Sequence, residues 1–181
     1  MLWIHVPSSE RFDEATNEFI YIKETNLQLE HSLVSLSKWE SKWHKPFFYP
    51  TSNKNTDEVL DYIRCMTLTQ NVKPETYYAL TKENINQIQQ YIDDPMTATT
   101  INNQQQGPPN REIITAELIY YWMISYNIPV EFEKWHLNKL LTLIHICSIK
   151  NSKPQKMSKK AIMSRNAALN AARRQRLNTK G

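Results

Sequence analysis

Few side chains in this sequence have the types and spacing that enzymes use. His136, His145 and Cys147 fall on one predicted helix, but helix positions two apart point to different sides, so His145 and Cys147 do not form a metal site. Cys65 lies in a predicted amphipathic helix without a neighbouring base, which is typical of a packed, inert thiol. The chain has only two glycines, which excludes a glycine-rich phosphate loop. We therefore expect a protein that is not an enzyme, with no catalytic residues, no metal and no cofactor.

The charges of the chain are strongly segregated. Residues 150–181 contain ten Lys and Arg and no Asp or Glu, which leaves 12 basic and 18 acidic residues in residues 1–149. A body of net charge 12 − 18 = −6 therefore carries an arm of +10. Such an arm repels itself and attracts acidic surfaces, so the pattern indicates binding of a partner.

The arm is predicted to be a polar linker followed by a helix over residues 158–177. Its small residues Ala161, Ser164, Ala168 and Ala171 recur at helical spacing, which allows a partner helix to approach closely. The arm is expected to dock as a helix in a groove of the partner, or to fold only when it is bound. The partner-binding residues predicted in the arm are Lys159, Lys160, Ala161, Ile162, Arg165, Ala168, Leu169, Arg173, Arg174 and Arg176.

Two other interpretations of the arm remain open. A composition this polar is also typical of a frayed, solvated tail. Nucleic acid is the second, because each neutralised phosphate adds salt-sensitive affinity. It is disfavoured, because the aromatic residues lie in the acidic body rather than among the basic ones, and there is no helix-turn-helix, zinc-finger or RNA-binding signature.

An aromatic segment adds further candidate partner-binding residues. Trp39 and Trp43 are four apart on a predicted helix and are followed by Phe47 and Phe48. Because most tryptophans are largely buried, packing in the core is favoured. The alternative is that Trp43, Phe47 and Phe48 form a binding hot spot.

The predicted fold is mainly α, of the α+β class: a helical bundle with a small N-terminal β-hairpin and a basic C-terminal helical arm. Residues 1–149 form the globular domain and residues 150–181 the linker and helix or tail. Two strands, residues 2–6 and 19–22, are expected to be joined by an acidic loop over residues 8–14. Helices are predicted over residues 30–44, from 56 to near 71, 74–80, from 82 to before 95, 113–126 as the central buried helix, and 131–149, with an exposed loop over 96–111.

Three stretches resemble a family of small proteins encoded in the tail-gene region of tailed bacteriophages, the tail assembly chaperones. They are LQLEHSLVSLSKWESKW at residues 27–43 with DYIRCM at 61–66, IYYWM at 119–123 with EKWHLNKLLTLI at 133–144, and MSRNAALNAARR at 163–174. The resemblance covers the chain from about Leu27 onward. It carries no catalytic motif.

The resemblance implies a non-catalytic chaperone that binds and solubilises the phage tape measure protein during tail morphogenesis. Further copies of the chain or other tail proteins are additional expected partners. A structural virion component, such as a head-tail adaptor or tail-completion protein, is the alternative, and a nucleic-acid-binding phage protein is a third class. No signal peptide and no apolar run of about 18 residues is present, so we expect no membrane contact and a location in the host cytoplasm.

Overall fold

A computed structural model describes residues 1–13, 17–49, 54–100, 112–151 and 159–178. The chain forms two compact units, Met1–Ser148 and Ile149–Gly181. The predicted mainly helical α+β class is confirmed. The regular elements are β1 (Leu2–Val6), β2 (Ser9–Asp13), β3 (Glu18–Ile22), β4 (Thr25–Leu29), α1 (Leu33–Trp43), α2 (Thr56–Met66), a 3-10 helix (Pro74–Ala79), α3 (Lys82–Asp93), α4 (Ala116–Ser125), a second 3-10 helix (Val130–Lys134), α5 (Leu137–Asn151) and α6 (Lys159–Leu177).

The N-terminal strands form two antiparallel pairs rather than the single pair expected. β1 pairs with β4, and β2 pairs with β3. The predicted acidic loop over residues 8–14 was wrong for residues 9–13, which are β2. The sequence Ser-Glu-Arg-Phe-Asp of β2 has one apolar residue and no alternation, so it lacks the pattern that marks a half-buried strand.

Local capping explains where the first helices begin. The side chains of Ser32, Asn55 and Thr81 each accept a hydrogen bond from the N–H three residues on, and each box is closed by a reciprocal bond. The end of α2 was predicted near Asn71 but lies at Met66. The chain turns there because residues 67–69 add to the edge of β4, where the N–H of Leu68 donates to the carbonyl of Gln28 at 2.8 Å.

Two clusters of buried side chains share α1. The first joins the β1–β4 pair to α1, α2 and α3, and the second joins α1 to α4 and α5. Trp39 of α1 belongs to the first cluster, Leu33 and Leu36 belong to the second, and Phe47 packs against both. The predicted core, α4 and α5 alone, is therefore only the second cluster.

Glu40 connects α1 to the segment that contains Phe47 and to the start of α4. The side chain is buried, and its oxygens accept the N–H of Phe47 and the N–H of Ala116, each at 2.7 Å. The second bond satisfies a donor at the start of α4, where a carboxylate also interacts well with the helix dipole. This helix was predicted to be the central buried helix, but two of its side chains, Tyr121 and Ile124, are 63% and 75% exposed.

The last helix of the body is shorter than predicted. Residues 130–134 form a 3-10 helix and α5 begins at Leu137. The break occurs because Ser32 and His136 form an isolated antiparallel bridge and the N–H of Leu137 donates to the carbonyl of His31 at 2.8 Å. Of the predicted exposed loop, residues 101–111 lie outside the described residues. None of the described helices is both long and apolar enough to cross a bilayer.

Candidate partner-binding surfaces

The described part of the basic arm after residue 158 is one long helix, α6. Its 19 residues run from Lys159 to Leu177 without an acidic residue. Ser158, at the predicted start of this helix, lies outside the described residues, as does the side chain of Ala161. The other predicted binding residues of the arm all have exposed side chains: Lys159, Lys160, Ile162, Arg165, Ala168, Leu169, Arg173, Arg174 and Arg176.

Helical geometry divides α6 into two different sides. At about 100° per residue, Ile162, Leu169, Arg173 and Arg176 fall on one side, which mixes apolar and cationic groups. The small residues fall on the opposite side at positions 164, 168 and 171. The apolar side chains of α6 are substantially exposed, with Ile162 at 44%, Leu169 at 46% and Met163 at 73%. Apolar and positive groups together favour an acidic, partly apolar partner.

The aromatic segment after α1 is placed mainly in the core. The ring of Phe47 lies 4.2 Å from that of Tyr62, measured between centroids, and 5.2 Å from that of Trp39. Trp43 is half-buried and donates its indole N–H to Asp61 at 2.9 Å. Phe48 is 38% exposed. Trp43 and Phe47 therefore hold the fold together, and Phe48 is the member of the predicted set that reaches solvent.

A buried polar network is the part of the molecule that sequence reasoning missed. Tyr91 donates its hydroxyl hydrogen to Glu30 at 2.7 Å, and the carbonyl of Tyr91 lies 2.9 Å from Nε2 of His136. The rings of His136 and His31 are 5.1 Å apart, and Nδ1 of His31 lies 2.6 Å from the hydroxyl of Tyr62. The network thus ties the residues before α1 to α2, α3 and the start of α5.

Burial sets the protonation of this network. Burial, with the neighbouring His136, lowers the pKa of His31 to about 3. Burial also lowers the pKa of His136 and raises the pKa of both Tyr62 and Tyr91. Both rings are therefore neutral and both hydroxyls protonated near pH 7, so the contact between Tyr62 and His31 is a hydrogen bond between two neutral groups. With Nε2 of His136 donating to Tyr91, its Nδ1 is an acceptor, and no described group donates to it.

The structure separates the remaining candidates for chemistry. His136 is buried at the start of α5, whereas His145 is exposed and Cys147 is half-buried further along it. Among the described residues, no group of three or more potential ligands is close enough to hold a metal ion. Cys65 is half-buried, and burial raises the pKa of its thiol, which weakens it as a nucleophile.

No family model matches the chain, and no curated protein and no solved structure is significantly similar to it. A function must therefore be argued from the surfaces and buried groups of the chain itself. Its buried titratable groups are enclosed and bonded to the backbone or to one another, which suits a structural role. The exposed basic and apolar groups of α6 favour binding.

Proposed function

We propose that this protein is a non-catalytic tail assembly chaperone of a tailed bacteriophage, which binds and solubilises the tape measure protein. One observation carries the proposal: α6 is a 19-residue helix with no acidic residue and with its described side chains exposed, in a chain whose residues 1–149 have a net charge of −6. The resemblance of three stretches to tail assembly chaperones supplies the identity of the partner.

The physical properties of the two units suit reversible binding of a helical client. A long amphipathic client exposes apolar stripes before assembly and aggregates through them. The apolar side chains of α6, with Ile162 and Leu169 on one side, offer contacts to such a stripe. The basic residues add attraction to acidic groups, which raises the rate of association. The negative charge of the body keeps the complex soluble.

Co-expression with the tape measure protein tests the proposal. The wild-type chain should raise the soluble fraction of the client, as measured by quantitative blotting of supernatant and pellet. A full-length variant with Arg173→Glu, Arg174→Glu and Arg176→Glu should lose most of that effect. Circular dichroism of the purified variant checks that it still folds.

A matched variant separates the position of the charge from its amount. Lys38, Lys73 and Lys82 have exposed side chains on the body, and Lys38→Glu, Lys73→Glu and Lys82→Glu change the net charge by the same −6. This control should solubilise the client as well as the wild type. If the arm variant solubilises the client as well as this control does, α6 is not part of the mechanism. If the wild-type chain does not solubilise the client, the proposed function is wrong.

The location of the protein after assembly distinguishes the structural alternative. A chaperone leaves the client when the tail tube encloses it, so mass spectrometry of purified virions should find the chain absent or substoichiometric. A head-tail adaptor or tail-completion protein remains in the particle in fixed copy number. For the nucleic-acid alternative, DNA affinity should fall steeply with salt concentration and persist at physiological salt.

A further inference from the structure

The β2–β3 hairpin has an outer face of exposed aromatic residues. In its register Phe12 lies opposite Phe19, and Glu10 lies opposite Tyr21. Because side chains alternate along a strand, these four project from one face. Phe12, Phe19 and Tyr21 are 45%, 72% and 66% exposed, and the two phenylalanine rings are in edge contact at 5.1 Å.

The opposite face of the hairpin attaches it to the body. Ile22 is buried there, and the guanidinium of Arg11 lies 4.4 Å above the ring of Tyr78 in the first 3-10 helix. The aromatic residues of the outer face are therefore not needed to hold the hairpin in place. Three exposed aromatic side chains on a hairpin with two strands of five residues each are more apolar surface than an isolated soluble strand pair needs, which indicates contact with a partner.

The charge of the hairpin identifies the kind of partner. Residues 9–22 contain Glu10, Asp13, Glu14 and Glu18 but only one basic residue, Arg11, so the net charge is 1 − 4 = −3. By the strand register, Glu10 lies on the aromatic face, whereas Asp13 and Glu18 hold positions of the opposite face. An aromatic face with one carboxylate, on a hairpin of net negative charge, favours a partner with apolar side chains and cations, since Arg and Lys bind both carboxylates and aromatic faces. One side of α6 has this character: Ile162, Leu169, Arg173 and Arg176.

We propose that the outer face of the β2–β3 hairpin binds α6 of a second copy of this chain. One helix is long enough to cover the hairpin, because 19 helical residues span about 28 Å and five strand residues span about 17 Å. The contact is heterologous, with the hairpin of one copy against the arm of the next, and therefore allows copies to associate in a row. A helix on a single hairpin buries little area, so the association is weak and reversible.

A complementation experiment on the purified protein tests this without any tape measure protein. Sedimentation velocity should show concentration-dependent self-association of the wild type that weakens with added salt. A hairpin variant, Phe19→Ser with Tyr21→Ser, and an arm variant, Arg173→Glu with Arg176→Glu, should each raise the dissociation constant of self-association at least about tenfold. An equimolar mixture of the two should recover heterodimers, because one supplies an intact arm and the other an intact hairpin.

The control variant is Tyr121→Ser with Ile124→Ser, which removes comparable exposed apolar area from α4 and should associate like the wild type. Variants that each remain associated, or a mixture that stays monomeric while the wild type associates, would overturn the proposal. A third outcome is that the wild type is monomeric and that the hairpin variant and the arm variant change the rate of amide hydrogen exchange in α6 equally. This outcome would overturn the proposal in favour of binding of the hairpin by each chain's own arm. Because no client is present, this experiment tests self-association alone, and the chaperone proposal is tested separately by the co-expression assay.

Discussion

Lowering the pH from about 7 to about 5 should destabilise the folded protein through His31. Burial, with the neighbouring His136, lowers the pKa of this ring from 6.5 to about 3 in the folded protein, whereas the unfolded chain takes up a proton below 6.5. Because the unfolded state then binds more protons, the free energy of unfolding falls as the pH decreases between these two values. Linkage gives a loss of about 2 kcal/mol from this group alone between about pH 7 and pH 5.

Two other groups decide how the measurement is designed. Burial lowers the pKa of His136 as well, which adds a loss of the same sign that begins as the pH falls below about 6.5. A hydrogen bond from Lys45 lowers the pKa of Glu58 below its ordinary 4.5, so the stability contributed by Glu58 is lost only in more acidic solution. Measurements kept above about pH 5 therefore report mainly on the two histidines.

Urea unfolding followed by tryptophan fluorescence at several pH values provides the assay. His31→Asn removes the titrating ring, so the slope of stability against pH should fall to the part due to His136, whatever the stability of the variant at pH 7. His145→Asn changes an exposed position outside the network and should retain the loss of stability due to His31. A wild-type protein equally stable at pH 7 and pH 5, or a His31→Asn variant with an unchanged slope, would refute the reasoning.

Three further predictions follow from buried contacts. Glu40→Ala leaves two backbone N–H groups without an acceptor and should lower the free energy of unfolding by about 3 kcal/mol, whereas Glu117→Ala, on an exposed side chain, should change it little in the same urea titration. Thr81→Ala removes the cap of α3 and should cost about 1 kcal/mol in thermal unfolding, with Thr81→Ser restoring most of it. In a Cys147→Ser background, Cys65 should react with a thiol reagent more slowly in the folded chain than in urea, because burial raises its pKa.

Features that depend on neighbouring residues could be predicted from the sequence. The starts of α2 at Thr56 and α3 at Lys82 and the end of α6 at Leu177 were placed correctly, since capping and helical periodicity involve residues within a few positions of each other. The arm was likewise recognisable from its composition. Its helix lies where the small residues recur at helical spacing.

Features that depend on residues distant in sequence could not be predicted. β1 pairs with β4, so that Leu2 lies opposite Leu29 although the two are far apart in sequence. No local pattern favours that pairing over one with β3. The polar network joins Glu30 to Tyr91 and His31 to His136, and each of these residues alone resembles an ordinary surface residue. The aromatic face of the hairpin was missed because recognising it requires knowing that β2 exists.

The two clusters that share α1 impose an order on folding during synthesis. The first cluster uses residues up to Tyr91, but the second is incomplete until Ile144 has been made. For about 50 residues of translation, Leu33 and Leu36 have no lasting cover, although the other side of the same helix is already packed. The nascent chain thus leaves the ribosome with these apolar side chains of α1 exposed. Slower translation before α5 extends the time in which neighbouring nascent chains can aggregate through them.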